Sequence, residues 1–213
     1  MAPYVIALTG ASGVVYGIRL VKFLLGSGHS VELIISDSAR LVLREEMGLA
    51  LSETVSRESL ASLFGDEESS LLRSYDPGDL TAPVGSGSYP TRGMVIVPCS
   101  MGTLGAVASG ASRNLIHRAA DCALKEGRKL VLVPRETPLS AIHLENLLKL
   151  SRAGAAIVPA MPAFYAGASQ VGDMVDFVAG KILDQLGVPH ALYPRWTGPV
   201  ATSPASGPGR PLC

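Results

Sequence analysis

Cysteine is scarce: Cys99, Cys122 and Cys213 make an odd set with no C-x-x-C pair. That excludes a disulfide framework and thiolate metal spacing, and it suits a reducing compartment. Charge is scarce as well, at 17% of residues against 47% hydrophobic. Lys plus Arg and Asp plus Glu both total 18, so no net field exists to recruit nucleic acid or anionic lipid. Basic residues that matter must act locally. No apolar run approaches the ~20 residues needed to span a membrane. The first residues, Met1-Ala2-Pro3-Tyr4, enter an apolar stretch with no basic region or cleavage site, so the expected location is the cytoplasm. Three chemical signatures are missing too: a D-D-x-x-D run for magnesium–diphosphate, a Walker A lysine motif and H-E-x-x-H. The four histidines are scattered, and no metal site is expected.

What is present is an alternation. Short apolar runs at Tyr4–Leu8, Val31–Ile35, Met94–Val97, Leu130–Val133 and Ala156–Val158 suit parallel strands covered on both faces. Helical patterns lie between them, near Val14–Leu25, Ser38–Met47, Asn114–Lys125, Ala141–Ser151 and Val171–Leu186. Strand, helix, strand repeated along a chain predicts right-handed βαβ units and a doubly wound α/β fold, a parallel sheet with helices on both faces. One domain over residues 1–196 and a disordered tail over 197–213 are expected, because the end is rich in Pro and Gly. Ser74–Gly93, rich in Gly, Ser and Pro, is too long for an ordinary connection and reads as functional or mobile. The low charge fraction has two readings. Either much of the surface is covered by other subunits, or the chain is simply rich in Ala and Gly.

In open parallel sheets ligands bind beyond the carboxyl ends of the strands. The residues that follow each expected strand form a coherent set. Thr9-Gly10-Ala11-Ser12-Gly13 opens a helix, where small residues admit a close ligand and unpaired N–H groups attract an anion. Gly10 and Gly13 match the dinucleotide G-x-G-x-x-G pattern only in part. Ser36 and Asp37 follow the second strand; Asp37 could hold a ribose, or either residue could only cap the next helix. Pro98-Cys99-Ser100-Met101-Gly102-Thr103 makes a second cradle for an anion or carbonyl. Arg118 and Lys125, seven apart, lie two turns along roughly one helical face, where a solvated role is the alternative. Pro134-Arg135-Glu136-Thr137-Pro138 places a charged pair between prolines at a strand end, either for a ligand or to fix the loop. Pro159 to Tyr165 is an apolar wall ending in a phenol, and Pro194-Arg195-Trp196 carries the single Trp.

These motifs, with Asn114-Leu115-Ile116, Arg118-Ala119-Ala120-Asp121, Leu130 to Glu136 and Ile142-His143-Leu144-Glu145-Asn146, resemble the flavin prenyltransferases of the UbiX type over residues 4–196. The resemblance implies a Rossmann-like (flavodoxin-like), three-layer fold and a homododecamer with FMN between neighbouring subunits. It implies FMN contacts from Gly10, Ala11, Ser12, Ser36, Ser100, Met101, Gly102, Thr103 and Arg135. Tyr165 and Lys181 would take the phosphate of dimethylallyl phosphate, with Arg118, Lys125, Glu46 and Glu136 around the same pocket. Several members of that family carry Arg in place of Lys181, which keeps the charge but not the bidentate grip.

The chemistry implied is transfer of a dimethylallyl group to N5 and then C6 of reduced FMN, without metal, for a partner aromatic or acrylic acid decarboxylase. Cations would stabilise the departing phosphate, Trp196 the allylic cation, and Glu136 would give and take a proton. Three alternatives stay open. One is the related FMN-dependent cysteine decarboxylases, which typically carry a His after an early helix, where this chain has Glu46. The others are a non-catalytic flavin carrier or accessory subunit of a decarboxylase and, from the fold alone, an NAD-dependent oxidoreductase.

Overall fold

The computed structural model describes residues 1–51, 57–65 and 70–198. Residues 199–213, most of the expected tail, lie outside the described residues. Six parallel strands form one sheet: β1 (Tyr4–Leu8), β2 (Val31–Ile35), β3 (Leu72–Tyr75), β4 (Gly93–Cys99), β5 (Leu130–Pro134) and β6 (Ala156–Ile157). Their order is β3-β2-β1-β4-β5-β6. The chain therefore reverses direction across the sheet between β1 and β4, and the crevice beyond those two strand ends is the switch point where such folds bind ligands.

Seven α-helices cover the sheet: α1 (Val14–Gly26), α2 (Asp37–Met47), α3 (Arg57–Phe64), α4 (Met101–Ser109), α5 (Leu115–Lys125), α6 (Ala141–Arg152) and α7 (Val171–Leu186). Alternate strand residues feed two cores, as the period of two demands. Tyr4, Ile6, Leu8, Val95 and Val97 face α1, α2, α3 and α7. Val5, Ala7, Met94 and Ile96 face α4, α5 and α6. Both faces being covered explains why the central strands are uniformly apolar. Gly17 lets α1 approach closely, since a Cβ there would strike the Leu8 side chain and the Val97 carbonyl.

Four features depart from the sequence reading, the first being helix α3 itself, which it did not expect. Strand β3 escapes periodicity because Leu-Arg-Ser-Tyr is a half-exposed edge strand that pairs with β2 alone. Helix α4, built from small residues, carries no strong helical stripe. The long 74–93 segment is an ordered element rather than a mobile one. It contains β3's last residues and a 3-10 turn at Pro83–Gly85. Its carbonyls are held by α5 and the turn beyond: Arg118 Nε donates to Gly85 at 3.0 Å, and Arg128 donates to Gly87 and Tyr89 at 2.5 and 2.7 Å.

Candidate active site

The crevice is built by a tether between two strand ends. The Thr9 hydroxyl, fully buried, donates to the Pro98 carbonyl at 2.7 Å and accepts from the Ser100 N–H at 2.8 Å. This joins the loop after β1 to the loop after β4. Ser100 then caps α4, accepting from the Thr103 N–H at 3.3 Å and donating to Thr103 Oγ1 at 3.1 Å. Met101 and Gly102 stand in the first turn of α4, where a helix leaves its N–H groups without internal partners. A Cβ at Gly102 would meet nothing within 4 Å, so the side of this turn where a side chain would stand is open. The Cys99 thiol beneath is buried and pushed up to about 12 by that burial. It is a neutral core group, not a nucleophile.

The opposite rim carries charge. Gly13, in the left-handed region at φ 98°, precedes α1 with no side-chain cap of its own. Glu46, from the last turn of α2, supplies the acceptor: both carboxylate oxygens receive the Gly13 N–H, at 2.9 and 3.2 Å. Arg135 Nε donates to the Ser12 carbonyl at 3.4 Å. Tyr16 stands close to both charges. Burial raises its pKa, Arg135 opposes the rise, and Glu46 adds to it. Glu136 follows Arg135 and is exposed, its Oε1 accepting only from the neighbouring Thr137 N–H at 3.0 Å. Ser36 donates its N–H to the Leu8 carbonyl at 3.0 Å and caps α2 through Ala39 at 3.1 Å. Asp37 points to solvent and reaches only Arg40, at 3.9 Å. It is the first residue of α2, whose N-cap is Ser36.

Two further groups of expected residues stand apart. Arg118 and Lys125 lie on α5, where Arg118 pairs with Asp121 at 3.2 Å and Lys125 with Glu126 at 3.0 Å. Lys125 closes α5 five residues before β5 starts at Leu130, so it sits towards the amino edge of the sheet, away from the crevice. Lys181, Tyr165 and Trp196 belong to the other layer, against α7. Tyr165 meets Trp196 and Phe177 edge-on, with ring centroids 6.1 and 5.8 Å apart. A largely apolar cavity of about 430 Å³ opens between Tyr165 and Trp196. Lys181 is 3.5 Å from Asp184. Among the described residues, no hydrogen bond, ion pair or ring contact joins these two groups to each other or to the crevice.

A family model described as Flavoprotein matches residues 2–183. The chain is 52% identical over 196 residues to the flavin prenyltransferase UbiX of Halalkalibacterium halodurans, covering 91% of this chain and 92% of that one. The flavin prenyltransferase UbiX of Pseudomonas aeruginosa is 48% identical over 192 residues, with 90% and 92% covered. The chain belongs to the flavin prenyltransferase family of flavoproteins. The crystal structure of AnUbiX (PadA1) in complex with FMN and dimethylallyl pyrophosphate superimposes with a TM-score of 0.83 at 38% identity, covering 92% of this chain and 98% of that one. A dodecameric FMN-dependent Ubix-like decarboxylase from Escherichia coli O157:H7 gives 0.82 at 41%, with 92% and 100% covered. An FMN-dependent cysteine decarboxylase, TvaF, shares only the fold, at 16% identity and a TM-score of 0.57.

Sequence reasoning missed parts of this family member's site. Thr9 was read only as one residue of a loop, although its hydroxyl joins the two halves of the crevice. Tyr16, inside α1, had no motif to mark it. Asp184, which collects Arg195, Tyr193, His190 and Lys181, looked like any acid on an amphipathic helix. The available signal was the cluster His190, Tyr193 and Arg195 directly after that helix.

Proposed function

We propose that this chain joins the dimethylallyl group of dimethylallyl phosphate to N5 and C6 of reduced FMN, making prenylated FMN for a partner aromatic or acrylic acid decarboxylase. The observation that carries this reading is the open start of α4 at Met101 and Gly102, pinned by Thr9 to the loop that holds Ser12. Free donors at a helix start, small residues and a nearby guanidinium suit a ligand that is planar, polar and anionic at one end, as FMN is. Gly10, Ala11, Ser12, Ser36, Ser100, Met101, Gly102, Thr103 and Arg135 would hold it. Reduced FMN, when bound, supplies the nucleophilic N5 and C6 positions.

The chain's own residues serve the bond being broken. Loss of the allylic C–O bond puts positive charge on carbon and negative charge on phosphate. Arg118, Lys125 and Lys181 stabilise the phosphate, with Tyr165 as a further donor. The Trp196 ring stabilises the cation through its face. Glu136 would give a proton to the departing phosphate, the proton lost from N5 would pass to the dimethylallyl double bond as that bond opens to join C6, and the Glu136 carboxylate would take the proton from C6. Glu46 holds the Ser12 loop through Gly13. Three fixed cations are enough for a monophosphate. Because a relative was crystallised with dimethylallyl pyrophosphate, both donors belong in the assay.

The split between layers supports a site shared by neighbouring subunits. Lys125 sits away from its own chain's crevice, so it serves a cradle only on another copy. Helix α6 exposes Ile142, Leu144 and Leu148 and buries only Leu150, an apolar face suited to a neighbour. A homododecamer is proposed, with residues 1–196 as its flavin-binding domain and the cytoplasm as its location. No helix among the described residues is long and apolar enough to cross a membrane.

Mixing two variants tests the reading. Glu136→Gln and Lys125→Ala oligomers should each make prenylated FMN slowly, and subunit exchange between them should restore the rate. Wild-type protein that returns plain FMN would favour the carrier. Product without restoration on mixing would place both residues in one subunit's site.

A further inference from the structure

Beyond the residues assigned above, a single carboxylate governs where the donor-binding end of the chain lies. We infer that Asp184 is a positioning residue that clasps segment 188–196 against α7, setting Trp196 against Tyr165 and holding Lys181 for the donor phosphate. The inference rests on the reading of Trp196, Tyr165 and Lys181 just given.

The clasp is saturated. Asp184 Oδ1 accepts from Arg195 Nη2 at 2.6 Å and from His190 Nε2 at 3.1 Å. Oδ2 accepts from the Tyr193 hydroxyl at 2.7 Å and from Arg195 Nη1 at 2.9 Å. Lys181 Nζ stands 3.5 Å from the same oxygen. Because His190 Nδ1 accepts from the Leu192 N–H, at 3.3 Å, the neutral ring carries its proton on Nε2, which lies between Asp184 Oδ1 and, at 3.0 Å, Arg195 Nη2. Four donor groups from three residues of the segment thus fill the roughly four acceptor sites of a carboxylate, and Lys181 adds an ion pair from the helix. An amide offers one oxygen and cannot receive the guanidinium fork.

Shape supports the same docking independently. A Cβ at Gly180, one turn before Asp184, would lie 2.5 Å from the Tyr193 ring and 2.7 Å from the His190 ring. Gly180 is therefore a notch in α7 that admits both rings. From Tyr193 a run of aromatic contacts continues to Phe177 at 4.8 Å, to Tyr165 at 5.8 Å and to Trp196 at 6.1 Å. Trp196 itself is 66% exposed and among the described residues its ring meets Tyr165, so its place follows where the neighbouring Arg195 and Tyr193 are held. Hydrogen bonding from Arg195 first, with Tyr193 and His190 adding, keeps the Asp184 carboxyl well below the usual carboxylate range.

Trp196 is the chain's only tryptophan, so its fluorescence reads the clasp without reference to turnover. Asp184→Asn should leave the far-UV circular dichroism and the FMN Kd unchanged. Trp196 emission should move to longer wavelength and become more accessible to acrylamide. Calorimetry should show the Kd for dimethylallyl phosphate raised about tenfold or more, the loss expected for a charge-assisted contact. Asp184→Glu should recover part of both effects. Should Asp184→Asn not fold, Arg195→Lys removes only the fork from the exposed side and should move the same two readings. Gly180→Val should do likewise with Asp184 intact. Unchanged Trp196 emission and donor affinity, or equal losses for FMN and donor, would overturn the inference. If wild-type protein makes no product while fluorescence responds to Asp184→Asn, the clasp stands and the prenyl-transfer reading falls.

Discussion

Thr9→Val isolates the tether between the two halves of the crevice. Valine matches the shape of threonine, so packing is kept and only the hydroxyl is lost. Thr9 is 1% exposed, and its hydroxyl makes two bonds, to the Pro98 carbonyl and from the Ser100 N–H. The Pro98 carbonyl keeps a second partner, the Thr9 main-chain N–H at 3.3 Å. The Ser100 N–H keeps none. The Ser100 N–H is part-buried, so leaving it unpaired costs up to the about 1–3 kcal/mol of a buried donor. In a chain of 213 residues each kcal/mol moves Tm by about 2–4 °C. The expected drop is up to about 2–12 °C, measured at fixed protomer concentration because assembly is coupled to folding. FMN affinity, read by fluorescence titration, should fall as well, since Ser100 positions the start of α4. Thr9→Ser should preserve both quantities. A Thr9→Val protein with unchanged Tm and unchanged FMN Kd would refute the tether.

Gly102→Leu should fold normally, because its Cβ meets nothing within 4 Å, yet it should lose FMN binding as the side chain fills the cradle; an unchanged titration would remove Gly102 from the site. Glu136→Gln should keep FMN bound and slow prenyl transfer by about 10²–10⁴-fold, while excess EDTA leaves the wild-type rate unchanged; the reverse pair of results would make the mechanism metal-dependent. The pH range of the clasp follows from two signs. Asp184 is held below its ordinary 3.8, so its contribution is complete above that value and fades as acid titrates it further down. Tyr193 is raised, by burial and then by Asp184, from 10.0 to about 12, so its share is complete below 10.0 and fades as pH climbs through 12. Trp196 fluorescence should therefore change as pH falls below 3.8 and again as it climbs through 12, and no change at either limit would contradict the assignment.

The strands that sequence alone placed well are those buried on both faces. Tyr4–Leu8 and Val31–Ile35 match β1 and β2 residue for residue because every position but Glu32 is apolar for one core or the other. Edge strand β3 was invisible for the converse reason: half its residues face outward, and Arg73 and Ser74 break the pattern. The cradle loops were legible because hydroxyls and glycines follow several strand ends at the one edge of the sheet where ligands bind, although each alone is an ordinary helix cap. Arg118 and Lys125 were correctly placed on one helix, but periodicity within α5 carries no information about which sheet edge its end approaches. That follows only from the short link to β5. Asp184 was illegible because its meaning lies in residues that fold back after the helix, and a single chain position cannot reveal four donors.

The most direct measurement follows flavin and phosphate together. Reduced FMN and dimethylallyl phosphate are incubated anaerobically with the protein, the flavin is weighed by mass spectrometry, and released phosphate is counted. The account predicts one dimethylallyl unit added to FMN for each phosphate released, and the same product, one unit per flavin, whether the donor is the monophosphate or the pyrophosphate. Phosphate released without a change in flavin mass, or FMN recovered unaltered with the donor intact, would contradict it.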